Sequence, residues 1–135
     1  MEMEICGIDE AGRGPIAGPL VVAGCVFRSD VREEEWFLKL TDSKKLTPKK
    51  REELFEKIKV NAIYHIVWKF PEEIDKKGLS SVINESLTEI KENIKAKRYI
   101  FDGNSSFGVS GIETLIKGDS KIKEISAASI LAKVS

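Results

Sequence analysis

The segment that most constrains the fold is the apolar run at residues 20–27, Leu-Val-Val-Ala-Gly-Cys-Val-Phe. Uncharged runs of this length, rich in β-branched residues, are typical of a strand buried on both faces of a sheet. A shorter strand is predicted at residues 4–9, which end on an acid. The connection at residues 11–19 contains three glycines and two prolines, so it favours a loop. Strands joined by so short a loop should pair antiparallel.

The rest of the chain alternates between helical and extended patterns. Thr47 is a good N-cap and Pro48 a good first helical residue, so a helix is predicted from there to about Lys59. Residues 79–95 carry apolar side chains at spacings of three and four, which indicates a helix with one buried face. Further strands are predicted at residues 61–70, 98–103 and 112–117, and a last helix from about residue 123.

The order of these elements predicts an α/β fold. Three antiparallel strands come first and helix-separated parallel strands follow, which gives a mixed sheet with helices packed on its faces. The length of 135 residues suits a single domain covering residues 1–135. The last predicted helix reaches Ser135 without a glycine or proline to end it, so we expect the natural chain to continue beyond this residue.

Composition restricts the possible classes of function. The 22 basic and 22 acidic residues balance, so nucleic-acid binding would have to depend on local clusters of charge. With only Cys6, Cys25 and His65, the chain offers no ligand set for a zinc site, and two reduced thiols are favoured over a disulfide. There is no apolar run long enough to span a bilayer, and the acidic N-terminus is unlike a signal peptide. We therefore predict a cytoplasmic protein that does not bind membranes.

Three acidic residues are candidates for metal binding. Asp9 and Glu10 end the first predicted strand, and Asp102 ends the strand at residues 98–103. If those strand ends lie together, their carboxylates form an oxygen-rich cluster of the kind that Mg²⁺ or Mn²⁺ binds. Two such ions about 4 Å apart can promote phosphodiester hydrolysis without a histidine base. The alternative is that each acid only caps a turn, because glycine follows closely in both places.

The loop beside two of these acids is suited to recognise a hydroxyl group. Gly12, Arg13 and Gly14 follow Asp9 and Glu10 almost directly. Glycines let the main chain approach a ligand closely. Its N–H and C=O groups can then hydrogen-bond a ribose 2′-hydroxyl, the group that distinguishes RNA from DNA. The loop therefore favours a ligand that contains RNA.

These motifs resemble those of the ribonuclease HII family. The segment at residues 9–15, Asp-Glu-Ala-Gly-Arg-Gly-Pro, is similar to the family signature, and other similar stretches follow in the same order and spacing along the chain. They are Asp-Ser-Lys-Lys-Leu at 42–46, Tyr-Ile-Phe-Asp-Gly at 99–103, Lys-Gly-Asp-Ser-Lys at 117–121 and Ile-Ser-Ala-Ala-Ser-Ile-Leu-Ala-Lys-Val at 125–134.

The resemblance implies an RNase H-like fold and a monomeric endonuclease that uses Mn²⁺ or Mg²⁺. Its substrate would be an RNA–DNA hybrid, or DNA with embedded ribonucleotides, cut on the 5′ side of a ribonucleotide to leave 3′-hydroxyl and 5′-phosphate ends. Carried over by residue, the resemblance implies that Asp9, Glu10 and Asp102 bind metal, that Gly12, Arg13 and Gly14 contact the 2′-hydroxyl, and that Ser43, Lys44, Lys121, Ser129 and Lys133 are candidate phosphate contacts.

Other interpretations stay open at this point. In the family, an Arg-Asp pair is expected after the Lys-Val segment, with its Asp as a fourth active-site acid, and this sequence stops before it at Ser135. The chain is then either a catalytic domain without its C-terminal part or a hybrid-binding module without activity. A third possibility is another nuclease of the RNase H-like fold, such as a resolvase. A loop that recognises a 2′-hydroxyl has no use in an enzyme that cuts only DNA.

Overall fold

The computed structural model describes residues 4–12, 18–41 and 43–135, which form a five-stranded sheet with helices on both faces. The strands are β1 (Ile5–Ala11), β2 (Leu20–Phe27), β3 (Ala62–Lys69), β4 (Arg98–Asp102) and β5 (Ile112–Leu115). The helices are α1 (Glu35–Leu38), α2 (Pro48–Asn61), α3 (Pro71–Lys77), α4 (Leu79–Asn93) and α5 (Lys123–Val134). Short 3₁₀ turns cover Val31–Glu33, Ser43–Lys45 and Gly118–Ser120.

The strands lie in the order β3-β2-β1-β4-β5. β2 pairs antiparallel with both β1 and β3, whereas β4 pairs parallel with both β1 and β5. The predicted mixed sheet, antiparallel first and parallel afterwards, is therefore confirmed. Because β1 and β4 are parallel neighbours, their C-terminal ends meet at the same edge of the sheet.

The sheet separates two hydrophobic cores. Successive residues of a strand point to opposite faces, so Ile8 of β1 lies in the core that contains Leu87 of α4. Ala23 of β2 lies in the other core, with Leu54 of α2 and Leu131 of α5. The amphipathic face predicted for the second helix is confirmed by the complete burial of its apolar residues Val82, Ile83, Leu87 and Ile90.

Helix α5 packs against the central strand at backbone distance. Residues 124–132 are all buried. A Cβ atom added to Gly7 of β1 would lie 2.3 Å from the carbonyl carbon of Glu124. Glycine is therefore required at this position for the helix to approach the sheet so closely. The same approach brings the polar residues at the C-terminal half of α5 to the acid-bearing edge of the sheet.

Most predicted boundaries agree with the structure to within a few residues. Thr47 caps α2 as predicted, and its hydroxyl accepts a hydrogen bond from the Lys50 N–H at 3.1 Å. Helix α3 was not predicted, although Pro71 stands at its first turn and Gly78, with φ 91°, follows its last residue. Both residues are common boundary signals of a helix. The strand predicted at residues 61–70 ends just before Pro71, and no helix was predicted to begin there.

The two cysteines are free and buried, as predicted. Cys6 belongs to the core beneath α4, and Cys25 belongs to the core on the other face of the sheet. Their side chains therefore point away from each other, and a disulfide cannot form between them. Within the described part of the chain, the helices are too short or too polar to cross a membrane.

Candidate metal centre

Two of the three predicted acids converge at the C-terminal edge of the sheet. In the parallel pair of β1 and β4, Ile8 lies opposite Phe101, and both belong to the core beneath α4. The residues that follow them, Asp9 and Asp102, therefore lie on neighbouring strands and face the other side, toward α5. This outcome supports the predicted convergence of Asp9 with Asp102.

A third carboxylate reaches the same place from the turn after β5. Lys117 is left-handed, with φ 57° and ψ 39°, a conformation that is uncommon for a residue with a Cβ. The next N–H, that of Gly118, donates to Oδ1 of Asp102 at 3.2 Å. A Cβ on Gly118 would lie 2.6 Å from Cδ1 of Ile125, so the turn packs tightly against α5. Asp119 is thereby held beside the strand ends.

Carboxylate oxygens of Asp9, Asp102 and Asp119 all lie within 4.8 Å of one another. Oxygen ligands at such separations suit a small divalent cation, and Mg²⁺ and Mn²⁺ prefer carboxylates to the sulfur and imidazole ligands that soft metals select. The chemistry of the donor set therefore fits the predicted ions. Asp119 lies within the family-like segment at residues 117–121 and is a candidate ligand beyond the three acids predicted from the sequence.

The environment of Asp9 also fits a cation site. Its side chain is only 8% exposed, and burial raises the pKa of Asp9 from 3.8 to about 7. A hydrogen bond from the Glu10 N–H, at 2.8 Å, acts in the opposite direction. The charges of Asp102 and Asp119 raise the pKa further, and a hydrogen bond from Ser129 lowers it. A bound cation would offset the mutual repulsion of these carboxylates.

Glu10 takes a different orientation from Asp9. Adjacent strand residues point to opposite faces, so the Glu10 side chain leaves β1 on the α4 side, although it still lines the cavity around the acids. Among the described residues, the carboxylates that lie within 4.8 Å of one another are those of Asp9, Asp102 and Asp119. The role of Glu10 as a metal ligand stays a prediction.

A cavity of about 600 Å³ surrounds the acids and is rimmed by basic and hydroxyl side chains. Of the candidate phosphate contacts, Lys44, Ser129 and Lys133 line this cavity. Ser129 is 1% exposed and its hydroxyl bonds to Asp9, which gives it a partner at the acid cluster itself. Lys121 is exposed and is not among the described residues that line the cavity. The other lining residues are Lys45, Lys117 and Ser120.

Part of the predicted 2′-hydroxyl site can be located. Gly12 follows β1 with φ 88°, and a Cβ there would lie 2.4 Å from the carbonyl oxygen of Pro19. Both facts require glycine at this position. Arg13 and Gly14, and the side chain of Ser43, lie outside the described residues, so their predicted contacts with substrate stay predictions.

The mixed sheet, its order and the acids at its edge define a protein of the ribonuclease H-like class. The family model for ribonuclease HII matches residues 6–135, and the chain belongs to the ribonuclease HII family.

Relatives and solved structures agree with this assignment. Ribonuclease HII of Aliarcobacter butzleri is 50% identical over 97% of this chain and 66% of its own length. A ribonuclease HII from Archaeoglobus fulgidus, solved in complex with PCNA, has a TM-score of 0.82 at 32% identity, over 98% of this chain and 72% of that one. Ribonuclease H2 of Pyrococcus horikoshii OT3 has a TM-score of 0.80 at 31% identity, over 98% and 71%. The chain thus spans about two thirds of the length of these relatives.

Proposed function

We propose that the chain is the catalytic part of a divalent-metal-dependent endonuclease that cuts the RNA strand of RNA–DNA hybrids and DNA with embedded ribonucleotides. The observation that supports this most strongly is the convergence of three carboxylates within 4.8 Å at the edge of a ribonuclease H-like sheet. The cut would fall on the 5′ side of a ribonucleotide and leave 3′-hydroxyl and 5′-phosphate ends.

Asp9, Asp102 and Asp119 would hold Mg²⁺ or Mn²⁺, with Glu10 as a further candidate ligand at the cavity wall. When bound in pairs, such ions activate a water molecule and stabilise the leaving oxygen in phosphodiester hydrolysis. The protein's own contribution is to fix the ligands. The hydroxyl of Ser129 and the N–H of Glu10 orient Asp9.

The lysines around the cavity would hold the phosphates of the substrate. Lys44, Lys45, Lys117 and Lys133 line the same space as the acids. Together they form the local cluster of positive charge that a chain of zero net charge needs for nucleic-acid binding. Because these lysines stand beside the acids, a phosphate that they hold would lie within reach of metal ions bound by the carboxylates.

Selectivity for RNA would come from the loop after β1. A site built to hydrogen-bond a hydroxyl rejects an analogue that lacks it, because its own polar groups are then left without partners. The contacts proposed for Gly12, Arg13 and Gly14 therefore predict cleavage beside a single ribonucleotide and none in the matched all-DNA duplex. This selectivity disfavours a DNA resolvase.

The first experiment measures cleavage of two labelled duplexes that differ by one 2′-hydroxyl, with Mn²⁺, with Mg²⁺ and with chelator. It uses the 135-residue chain and a chimera extended by the C-terminal third of the Aliarcobacter butzleri relative. We expect cleavage of the ribonucleotide-containing duplex only, and only with metal. Asp9→Asn should lower the rate at least ~100-fold, about 2.7 kcal/mol in activation free energy.

The control is Asp75→Asn, which removes an exposed carboxylate on α3 and should leave the rate unchanged. Calorimetric titration of each protein with Mn²⁺, in the absence of nucleic acid, should show weaker metal binding for Asp9→Asn and not for Asp75→Asn. If both the 135-residue chain and the chimera bind the hybrid but do not cleave it, the non-catalytic binding module is favoured. Undiminished cleavage in chelator would contradict the metal-dependent mechanism.

A further inference from the structure

The lysine-bearing turn before α2 is attached to the same helix that lines the acid cavity. Lys44 and Lys45 belong to the 3₁₀ turn Ser43–Lys45 and line the cavity. Just before that turn, the carbonyl oxygens of Leu40 and Thr41 accept hydrogen bonds from α5. The residues that lead into the turn are therefore hydrogen-bonded to α5, which is far away in the sequence.

Two side chains of α5 make these bonds. Lys123 donates through Nζ to the Leu40 carbonyl, and Ser126 donates through Oγ to the Thr41 carbonyl at 2.5 Å. Ser126 is fully buried, between hydrophobic neighbours where alanine would fill the space without a polar group. Two alanines do follow it directly in the sequence.

The same face of α5 continues toward the acids. Ser126, Ser129 and Lys133 are spaced by three and four residues, so their side chains follow one another along one side of the helix. Ser129 bonds to Asp9, and both Ser129 and Lys133 line the acid cavity. The spacing between the lysine-bearing turn and the acid cluster is thus set by one rigid element.

We propose that Ser126, assisted by Lys123, is a positioning residue for substrate: it holds the turn so that Lys44 and Lys45 meet the phosphates flanking the one at the acids. The inference rests on the proposed function for its substrate, a nucleic-acid duplex. It adds residues that touch neither metal nor substrate and act only through the main chain at residues 40–41. Removal of the Ser126 hydroxyl frees the turn without changing the charge of the site.

The test is a double-mutant cycle on duplex binding. Ser126→Ala should weaken the binding of an RNA–DNA hybrid duplex, measured without divalent metal, about 5-fold to 10-fold. It should also lower the slope of log affinity against log salt by about 1 to 2, since each lost phosphate contact contributes about 0.9. In a Lys44→Ala/Lys45→Ala background, Ser126→Ala should have no further effect, because the groups it positions are gone.

The matched control is Ser86→Ala. Ser86 is equally buried, and its hydroxyl bonds to the Val82 carbonyl at 2.7 Å within α4, on the far face of the sheet. It should leave affinity, salt slope and KM unchanged. Lys123→Met removes the second tie at a half-buried position and should reproduce the Ser126→Ala phenotype in milder form, so the test survives if Ser126→Ala fails to fold.

In cleavage assays, Ser126→Ala should raise KM about 5-fold to 10-fold, leave kcat within twofold and leave Mn²⁺ affinity unchanged. Full additivity with the lysine substitutions, an equal effect from Ser86→Ala, or a loss confined to kcat would each overturn the inference. If wild type binds duplex but never cuts it, the proposed catalytic function fails while the binding cycle still decides this inference.

Discussion

Replacing Gly7 with alanine should separate α5 from the sheet and weaken the acid site at the same time. The new Cβ would lie 2.3 Å from the Glu124 carbonyl carbon and 2.4 Å from the Ile125 nitrogen. Carbon atoms pack at about 3.5 Å or more, so the helix or the strand must move by roughly 1.2 Å. Both obstacles are main-chain atoms, and no side-chain rotation can relieve them.

Overpacking of a well-packed core costs about 1–3 kcal/mol and sometimes more. Because backbone has to move here, we expect about 3 kcal/mol for Gly7→Ala. In a domain of this size, that corresponds to a fall in Tm of roughly 10 °C. The displaced helix also carries Ser129 away from Asp9, so Mn²⁺ affinity should fall as well.

The matched comparison is Gly24→Ala on the neighbouring strand, where Gly24 pairs with Ile8. A Cβ there would lie 2.5 Å from Ile90 Cγ2, so the strain falls on a side chain of the core beneath α4 and not on the main chain of α5. Scanning calorimetry and Mn²⁺ titration of both variants check the argument. Both variants should melt lower than wild type, but only Gly7→Ala should lose Mn²⁺ affinity. If Gly7→Ala keeps the Mn²⁺ affinity of the wild type, or if Gly24→Ala loses as much, the close contact between α5 and β1 does not hold the site.

Two further predictions concern buried titratable groups. Burial raises the pKa of Glu124, although Arg32 at 2.6 Å partly opposes the shift. Because the folded protein binds this proton more tightly than the unfolded chain, protonated Glu124 contributes to stability below the unfolded pKa. That contribution is lost as the pH rises through the folded pKa. Glu124→Gln should therefore gain in melting temperature relative to wild type as pH increases from 4 to 8, and a constant difference across that range would refute this. Burial also raises the pKa of Cys6 to about 12 and that of Cys25 well above its usual value, so neither thiol should react with iodoacetamide at pH 8 until the protein unfolds, as mass spectrometry of labelled protein can check.

Local sequence patterns were sufficient to predict most of the fold. The β-branched run of β2, the Thr-Pro start of α2 and the apolar periodicity of α4 each depend on neighbouring residues, and such signals predict an element wherever it lies in the structure. The helices between the later strands favour parallel pairing, but they do not predict that β4 lies beside β1, which the proposed acid cluster took as a condition. Asp9 and Asp102 could be predicted as a pair because both stand at the ends of such strands.

The rest of the site depends on contacts that local patterns do not encode. Asp119 joins the cluster because Lys117 adopts a left-handed conformation and Gly118 fits beneath Ile125. Neither feature has a periodic signal in the sequence. The opposite orientation of Glu10, by contrast, could have been predicted, because Asp9 and Glu10 are adjacent in one strand and strand residues alternate between faces.

The polar residues of α5 explain why so buried a helix is not wholly apolar. Glu124, Ser126 and Ser129 lie within the continuous buried stretch at residues 124–132. Each has a partner on a different segment: Arg32 after β2, the Thr41 carbonyl before the lysine-bearing turn, and Asp9 in the acid cluster. An apolar residue at any of these positions would pack as well, but it would leave the partner without its hydrogen bond or ion pair. Buried polar pairs fix register where hydrophobic contact alone does not. These contacts join α5 to the segment after β2, to the lysine-bearing turn and to the acid cluster, in addition to its close main-chain contact with β1.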